Sequence, residues 1–171
     1  PGTPYIHQNG QTVRVEAISI QDVAFDGWSG DIGASSSSDE SLCLLMDQDR
    51  TITAHFVAAD WNLKMDVDGF GVANPFPGKH GYRNGALANC TARLISGGDA
   101  FDEWIGDLMP GADPKALVQV LTMNQNRGVT ANFTAGDWTL TLAMAGSPGG
   151  STTPDPGAYA YLNGRDRKSV V

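Results

Sequence analysis

Basic residues and cysteines are both scarce in this chain, and no apolar run is long enough to cross a membrane. Lys and Arg number 11 against 19 Asp and Glu, a formal net charge of -8. Such a surface repels a phosphate backbone, so nucleic acid is not an expected partner. It also gains nothing from an anionic membrane face. No charged-then-apolar signal segment opens the chain. The two cysteines, Cys43 and Cys90, are too few to staple a small secreted scaffold. Neither His7 nor His80 has Cys or His at metal spacing, and no Gly-x-Ser-x-Gly elbow, phosphate-binding loop or His-Glu-x-x-His occurs. The expectation is a protein with no catalytic site, no cofactor and no required metal.

What is present is a β pattern that repeats. Hydrophobic residues make up 41% of the 171 and charged residues 18%, enough apolar material for a core. Gly and Pro cluster between short apolar runs, as turn-rich β proteins require. Phe25-Asp26-Gly27-Trp28-Ser29-Gly30-Asp31 returns as Phe101-Asp102-Glu103-Trp104-Ile105-Gly106-Asp107. Met46-Asp47-Gln48-Asp49-Arg50 returns as Met123-Asn124-Gln125-Asn126-Arg127, and Ile52-Thr53-Ala54-His55-Phe56 as Val129-Thr130-Ala131-Asn132-Phe133. Asp60-Trp61 returns as Asp137-Trp138. The spacing is about 77 residues throughout, the mark of tandem units.

A Pro-Gly turn followed by an Asn-Gly turn recurs in each unit: Pro1-Gly2 with Asn9-Gly10, Pro77-Gly78 with Asn84-Gly85, Pro156-Gly157 with Asn163-Gly164. The chain therefore divides into a first copy lacking its opening strand (1–57), a complete second copy (60–134) and the start of a third (137–171). Because Pro1 falls inside a recurring motif, the chain reads as a segment of something longer.

Ile52, Ala54 and Phe56 alternate with polar residues at the period of a half-buried strand, as do Val129, Ala131 and Phe133, and Val13, Val15 and Ala17. Asp47-Gln48-Asp49 and Asn124-Gln125-Asn126 read as hairpin turns between such strands. Only 112–121 could hold a short helix. The Gly/Pro/Ser/Thr stretch 146–157 aligns with 69–78 inside the second copy, so it is a loop within a module. The true junctions, 57–60 and 134–137, are short and imply a fixed relation between neighbours, as in a stiff rod.

The run of Pro-Gly turn, Asn-Gly turn, alternating strand, Phe-x-x-Trp-x-Gly-Asp and a closing strand ending Thr-Ala-x-Phe resembles the divergent branch of the internalin-type B-repeats. These are bacterial modules strung along large surface and secreted proteins. The resemblance spans nearly the whole chain. It implies a mainly β, compact module of β-grasp-like or small β-sandwich type, placed outside the cell or at its surface, without catalysis of its own. The loops after Asp31 and Asp107 share nothing, so no loop function carries over.

The residues that could form sites have plain readings beside functional ones. Phe25, Trp28 and Phe56, with Phe101, Trp104 and Phe133, recur in register and are read as structural; the alternative is a tryptophan stacking on sugar. Asp66 and Asp68, in Asp66-Val67-Asp68-Gly69, are the candidate calcium ligands. No closing Glu follows, and 143–146 in the third copy lacks both acids, so a turn is preferred. Asp26, Asp31, Asp102 and Asp107 are read as turn and cap hydrogen bonders, and 35–38 as a solvated loop. Asn89-Cys90-Thr91 and Asn132-Phe133-Thr134 fit the N-glycosylation pattern but lie on strand-like segments. Cys43 and Cys90 each read as a small buried hydrophobe. His55 is matched by Asn132, so no histidine chemistry repeats there.

The expected function is a stalk, spacer or adhesin segment whose partners are its neighbouring repeats. The alternatives are a carbohydrate- or calcium-binding module and an accessory region of a secreted hydrolase. Residues 138–145 supply the opening type of strand that 1–57 lacks, which makes them the candidate for self-association by strand exchange.

Overall fold

The computed structural model of the chain describes residues 5–145 and 151–163. Among these the protein is all β, with no helix. The second copy is a small sandwich. Its strands are β5 (Trp61–Asp68), β6 (Val72–Asn74), β7 (Gly78–Tyr82), β8 (Ala86–Arg93), β9 (Ala100–Gly106), β10 (Val118–Met123) and β11 (Arg127–Thr134). One layer runs β7-β5-β11-β9 and the other β10-β8-β6. Leu63 and Met65 from the first layer meet Ala88, Cys90, Leu121 and Met123 from the second, with Trp104, Val129, Ala131 and Phe133 closing the core. All ten are buried. The first strand, β5, lies parallel to the last, β11, pairing Arg127 with Leu63 through Asn132 with Asp68.

Among the described residues the first copy shows the counterparts of β8 to β11. These are β1 (Gln11–Glu16), β2 (Val23–Gly30), β3 (Ser41–Met46) and β4 (Ile52–Ala58). β1 pairs with β3 and β2 with β4, both antiparallel, over a smaller core of Ala17, Trp28, Leu42 and Leu44. The third copy shows β12 (Trp138–Leu142) paired with β13 (Gly157–Tyr161). Of the recurring segments, 1–4, 146–150 and 164–171 lie outside the described residues.

Two expectations from local sequence are corrected. The turns at 47–49 and 124–126 are not hairpins. β3 and β4 pair with β1 and β2, and β10 and β11 belong to opposite layers, so each turn carries the chain from one layer to the other. Nor does 112–121 form a helix. Val118 to Met123 alternates exposed and covered side chains and pairs with β8, so its period is two. Residues 110–117 ahead of it are turns and bends.

The modules share a sheet. The six-stranded order β4-β2-β7-β5-β11-β9 crosses the boundary between the first and second copies, through the parallel pairing of Ala24 on β2 with Gly81 on β7. A Cβ at Gly81 would strike the Val23 carbonyl oxygen and the Ala59 methyl, so only glycine lets the two strands approach.

Candidate functional site

Three constellations recur between the repeats, and the first clasps the tryptophan. Trp28 donates from its backbone N to Ser37 O at 2.8 Å and from Nε1 to Asp39 O at 2.8 Å. Trp104 donates likewise to Pro114 O at 2.7 Å and Ala116 O at 3.0 Å. The two loops have no sequence in common, yet their carbonyls stand at equivalent places. Backbone acceptors exist whatever the side chain, so these loops vary without losing the clasp. The rings are buried, Trp28 at 8% and Trp104 at 2% exposure. Phe25 packs at 5.5 Å from Trp28 and Phe101 at 5.8 Å from Trp104. Phe133 is buried against Phe101, whereas Phe56, its counterpart against Phe25, is 43% exposed.

The second constellation staples the crossing between layers. Arg50 donates to Leu45 O at 2.9 Å and pairs with Asp31 and Asp47, each at 2.7 Å. Arg127 donates to Thr122 O, Asp107 O and Asn124 Oδ1, and Gly128 N donates to Asp107 Oδ2 at 2.9 Å. This is the device that makes 47–49 and 124–126 layer crossings. A forked guanidinium holds the end of one layer's strand, the turn and the preceding Gly-Asp together. The arginines were read in the sequence only as members of the repeat; their spacing to Asp31 and Asp107 was the available signal.

The third sits at the junctions. Asp60 N donates to Tyr82 O at 3.0 Å while Asp60 Oδ2 accepts from Asn84 N at 2.8 Å. Asp137 N donates to Tyr161 O at 2.9 Å and its Oδ2 accepts from Asn163 N at 2.8 Å. Between the first two modules Asp22 and Asn62 exchange hydrogen bonds, at 3.0 and 2.8 Å, and Arg83 pairs with Asp26. Buried His80 bridges Ser19 O at 3.0 Å and Phe76 O at 2.7 Å. Its place in the third copy is taken by Tyr159, whose hydroxyl donates to Asp155 O at 2.7 Å.

The residues singled out for other chemistry do not converge. Asp66 pairs with Lys64 at 2.6 Å, Asp68 lies exposed at the end of β5, and the loop after it is held by Asp99, which accepts from Phe70 N. Among the described residues no three His, Cys, Asp or Glu side chains gather as a metal site. His55 is exposed and bonds Ser29 Oγ at 2.6 Å. Asn89 is exposed on β8, and Asn132 is half-buried on β11. Cys90 is buried, and its desolvated thiol is pushed up to about 12. Cys43, in contrast to the buried reading, faces solvent: Leu42 and Leu44 take the inward positions of β3 and Cys43 falls between them.

A groove of about 650 Å³ lies along the first junction, and its lining includes Glu16, Phe25, Glu40, Phe76, His80 and Tyr82. Desolvation first, then Glu16, raises the Glu40 carboxyl above its ordinary value, with His80 opposing.

A family model described as a divergent InlB B-repeat domain matches residues 2–60 and again 66–137. The chain belongs to this family. No curated protein and no solved structure matches it. The two B-repeat matches cover the first and second modules, and no helix among the described residues is long and apolar enough to cross a membrane.

Proposed function

We propose that this pair of B-repeats is a non-enzymatic, extracellular or cell-surface segment of a larger protein, serving as stalk, spacer or adhesin shaft and joining further chains through its sheet edges. One observation carries the reading: the sheet runs unbroken from the first module into the second. A junction made of a strand pair, a buried histidine bridge and an Asp22–Asn62 exchange transmits orientation as a flexible linker does not.

Small-angle scattering tests the shaft. A single stiff conformer should fit the profile of the wild type, and Gly81→Ala should require a mixture of bent ones. A wild-type profile that itself requires such a mixture refutes the reading.

The junction groove favours a second reading, a ligand-binding module, because it sets Phe25, Phe76 and Tyr82 beside two glutamates. Glycan-array binding and calcium titration decide between them. Binding that Phe76→Ala abolishes without lowering stability would replace the shaft by the ligand module.

A further inference from the structure

His80 stands where the first two modules meet, and both nitrogens of its ring face oxygens that can only accept. Nδ1 lies 3.0 Å from Ser19 O in the first module, and Nε2 2.7 Å from Phe76 O in the second. A neutral imidazole carries one N–H, so it donates to one of these carbonyls and turns a lone pair on the other. The ring makes both hydrogen bonds only when it holds two protons and a positive charge. Both residues are buried, His80 at 3% and Ser19 at 7% exposure, so a lost donor is not readily replaced by water. Negative charge stands close by. Glu16, ending β1, and Glu40, ahead of β3, line the groove beside the ring. Desolvation and then Glu16 raise the Glu40 carboxyl, and the charge of His80 draws it back.

The next junction shows which of the two bonds needs the charge. Tyr159 stands at the place of His80, and its hydroxyl donates to Asp155 O, the counterpart of Phe76 O, at 2.7 Å. A phenol has one proton to give, and it goes to the acceptor inside its own module. Holding the turn ahead of β7 therefore takes one donor, and the second proton of His80 is the one that reaches across to Ser19. We propose that His80 is a proton-operated clasp on the first junction: with both protons it ties Ser19 to the second module, and loss of the Nδ1 proton releases that tie. The junction is tighter in acid and looser in alkali. The Ala24–Gly81 pairing and the Asp22–Asn62 exchange do not use this proton, so the modules stay joined. What changes is how often Ser19 and Ile20 lift from β7.

The other titratable groups around the ring do not supply the same switch. From the first module these are Glu16, Asp39 and Glu40, and from the second Tyr82 and Arg83. An ionised carboxylate only accepts, so it cannot serve Ser19 O. Arg83 is paired with Asp26 and keeps its charge. Burial first, then Glu40, holds the Tyr82 phenol well above its ordinary value. Lys79, before His80 on β7, is exposed, and β5 sets apolar Leu63 opposite the ring. The clasp serves a shaft and a ligand groove alike, so it depends on neither reading of the module.

Two measurements on the whole chain test the clasp between about pH 5 and 8, the range in which histidine changes charge. Long-range proton–nitrogen NMR counts the N–H protons on the His80 ring: two at the acid end and one, on Nε2, at the other. Amide exchange reads the junction, because Gly81 N donates to Ile20 O across it at 3.0 Å. A protection factor takes out the intrinsic effect of pH on exchange. That of the Gly81 amide should fall about ten- to a hundredfold as the ring gives up its proton, the factor that one charge-assisted hydrogen bond is worth. Gly97 N, which donates to Ala158 O at 2.8 Å at the Tyr159 junction, is the internal control and should not change. His80→Gln and His80→Tyr carry no titrating ring, and whichever folds should protect Gly81 equally at both ends of the range. A ring with the same number of N–H protons throughout, a titrating ring with unchanged Gly81 protection, or a pH effect that survives in the variants overturns the proposal.

Discussion

Truncating Trp104 to Ala tests whether the Phe-x-x-Trp element is the keystone of the complete module. Trp104 is 2% exposed, packs edge-on against Phe101 and has both its backbone N and Nε1 satisfied by one loop. An aromatic side chain of this kind buries about 150–250 Å², worth about 4–6 kcal/mol at about 25 cal/mol per Å². Large aromatic deletions in cores cost about 3–5 kcal/mol, because part of the cavity collapses. Trp104→Phe keeps most of the area and loses the indole hydrogen bond, about 1 kcal/mol, and Ala116 O retains a weak bond from Gln119 Nε2 at 3.4 Å. Trp28→Ala should cost less than Trp104→Ala, because its core is smaller and Trp28 is less deeply buried. Urea unfolding of the three variants, followed by circular dichroism, gives the order Trp104→Ala, Trp28→Ala, Trp104→Phe. An unchanged midpoint for Trp104→Ala, with binding to some glycan abolished, would refute the core assignment in favour of sugar stacking.

Arg50→Met should lower stability by about 1–2 kcal/mol, less than a wholly buried network would lose, since both carboxylate partners remain half-solvated; urea unfolding measures it. Alkylation of the native protein at neutral pH, read by mass spectrometry, should modify Cys43 and spare Cys90, which reacts only after unfolding; equal labelling would contradict its burial. Glu40 has a raised folded-state value, so its contribution to stability is fully present below about 4.5 and is lost as pH rises through the raised value. Glu40→Gln should therefore stabilise the protein at neutral pH and have no such benefit in acid, which paired melting curves would show.

Strand positions and the inward-facing residues were legible because alternation is a local property. Ile52, Ala54, Val129 and Ala131 announce their face two residues at a time. Pairing was not legible in the same way. Asp47-Gln48-Asp49 has the chemistry of a hairpin turn, and what makes it a crossing is Arg50 reaching back to Asp31, a contact between parts of the chain that no short window contains. The parallel match of β5 with β11 spans the whole module and is equally silent in the local pattern. Even the exposure of Cys43 was readable from its flanking leucines; its residue type suggested burial, and the period prevailed.

The adjacency of β5 and β11 has a mechanical consequence. Tension along a string of such modules pulls β5 from its N-terminal end and β11 from its C-terminal end. Because the strands are parallel, those two pulls slide one along the other. The paired positions from Arg127–Leu63 to Asn132–Asp68 are then loaded together, and none can yield before the rest. An antiparallel hairpin pulled at its open end would instead unzip one bond at a time. A module whose first and last strands lie side by side in this way resists stretching along the line that joins its two ends.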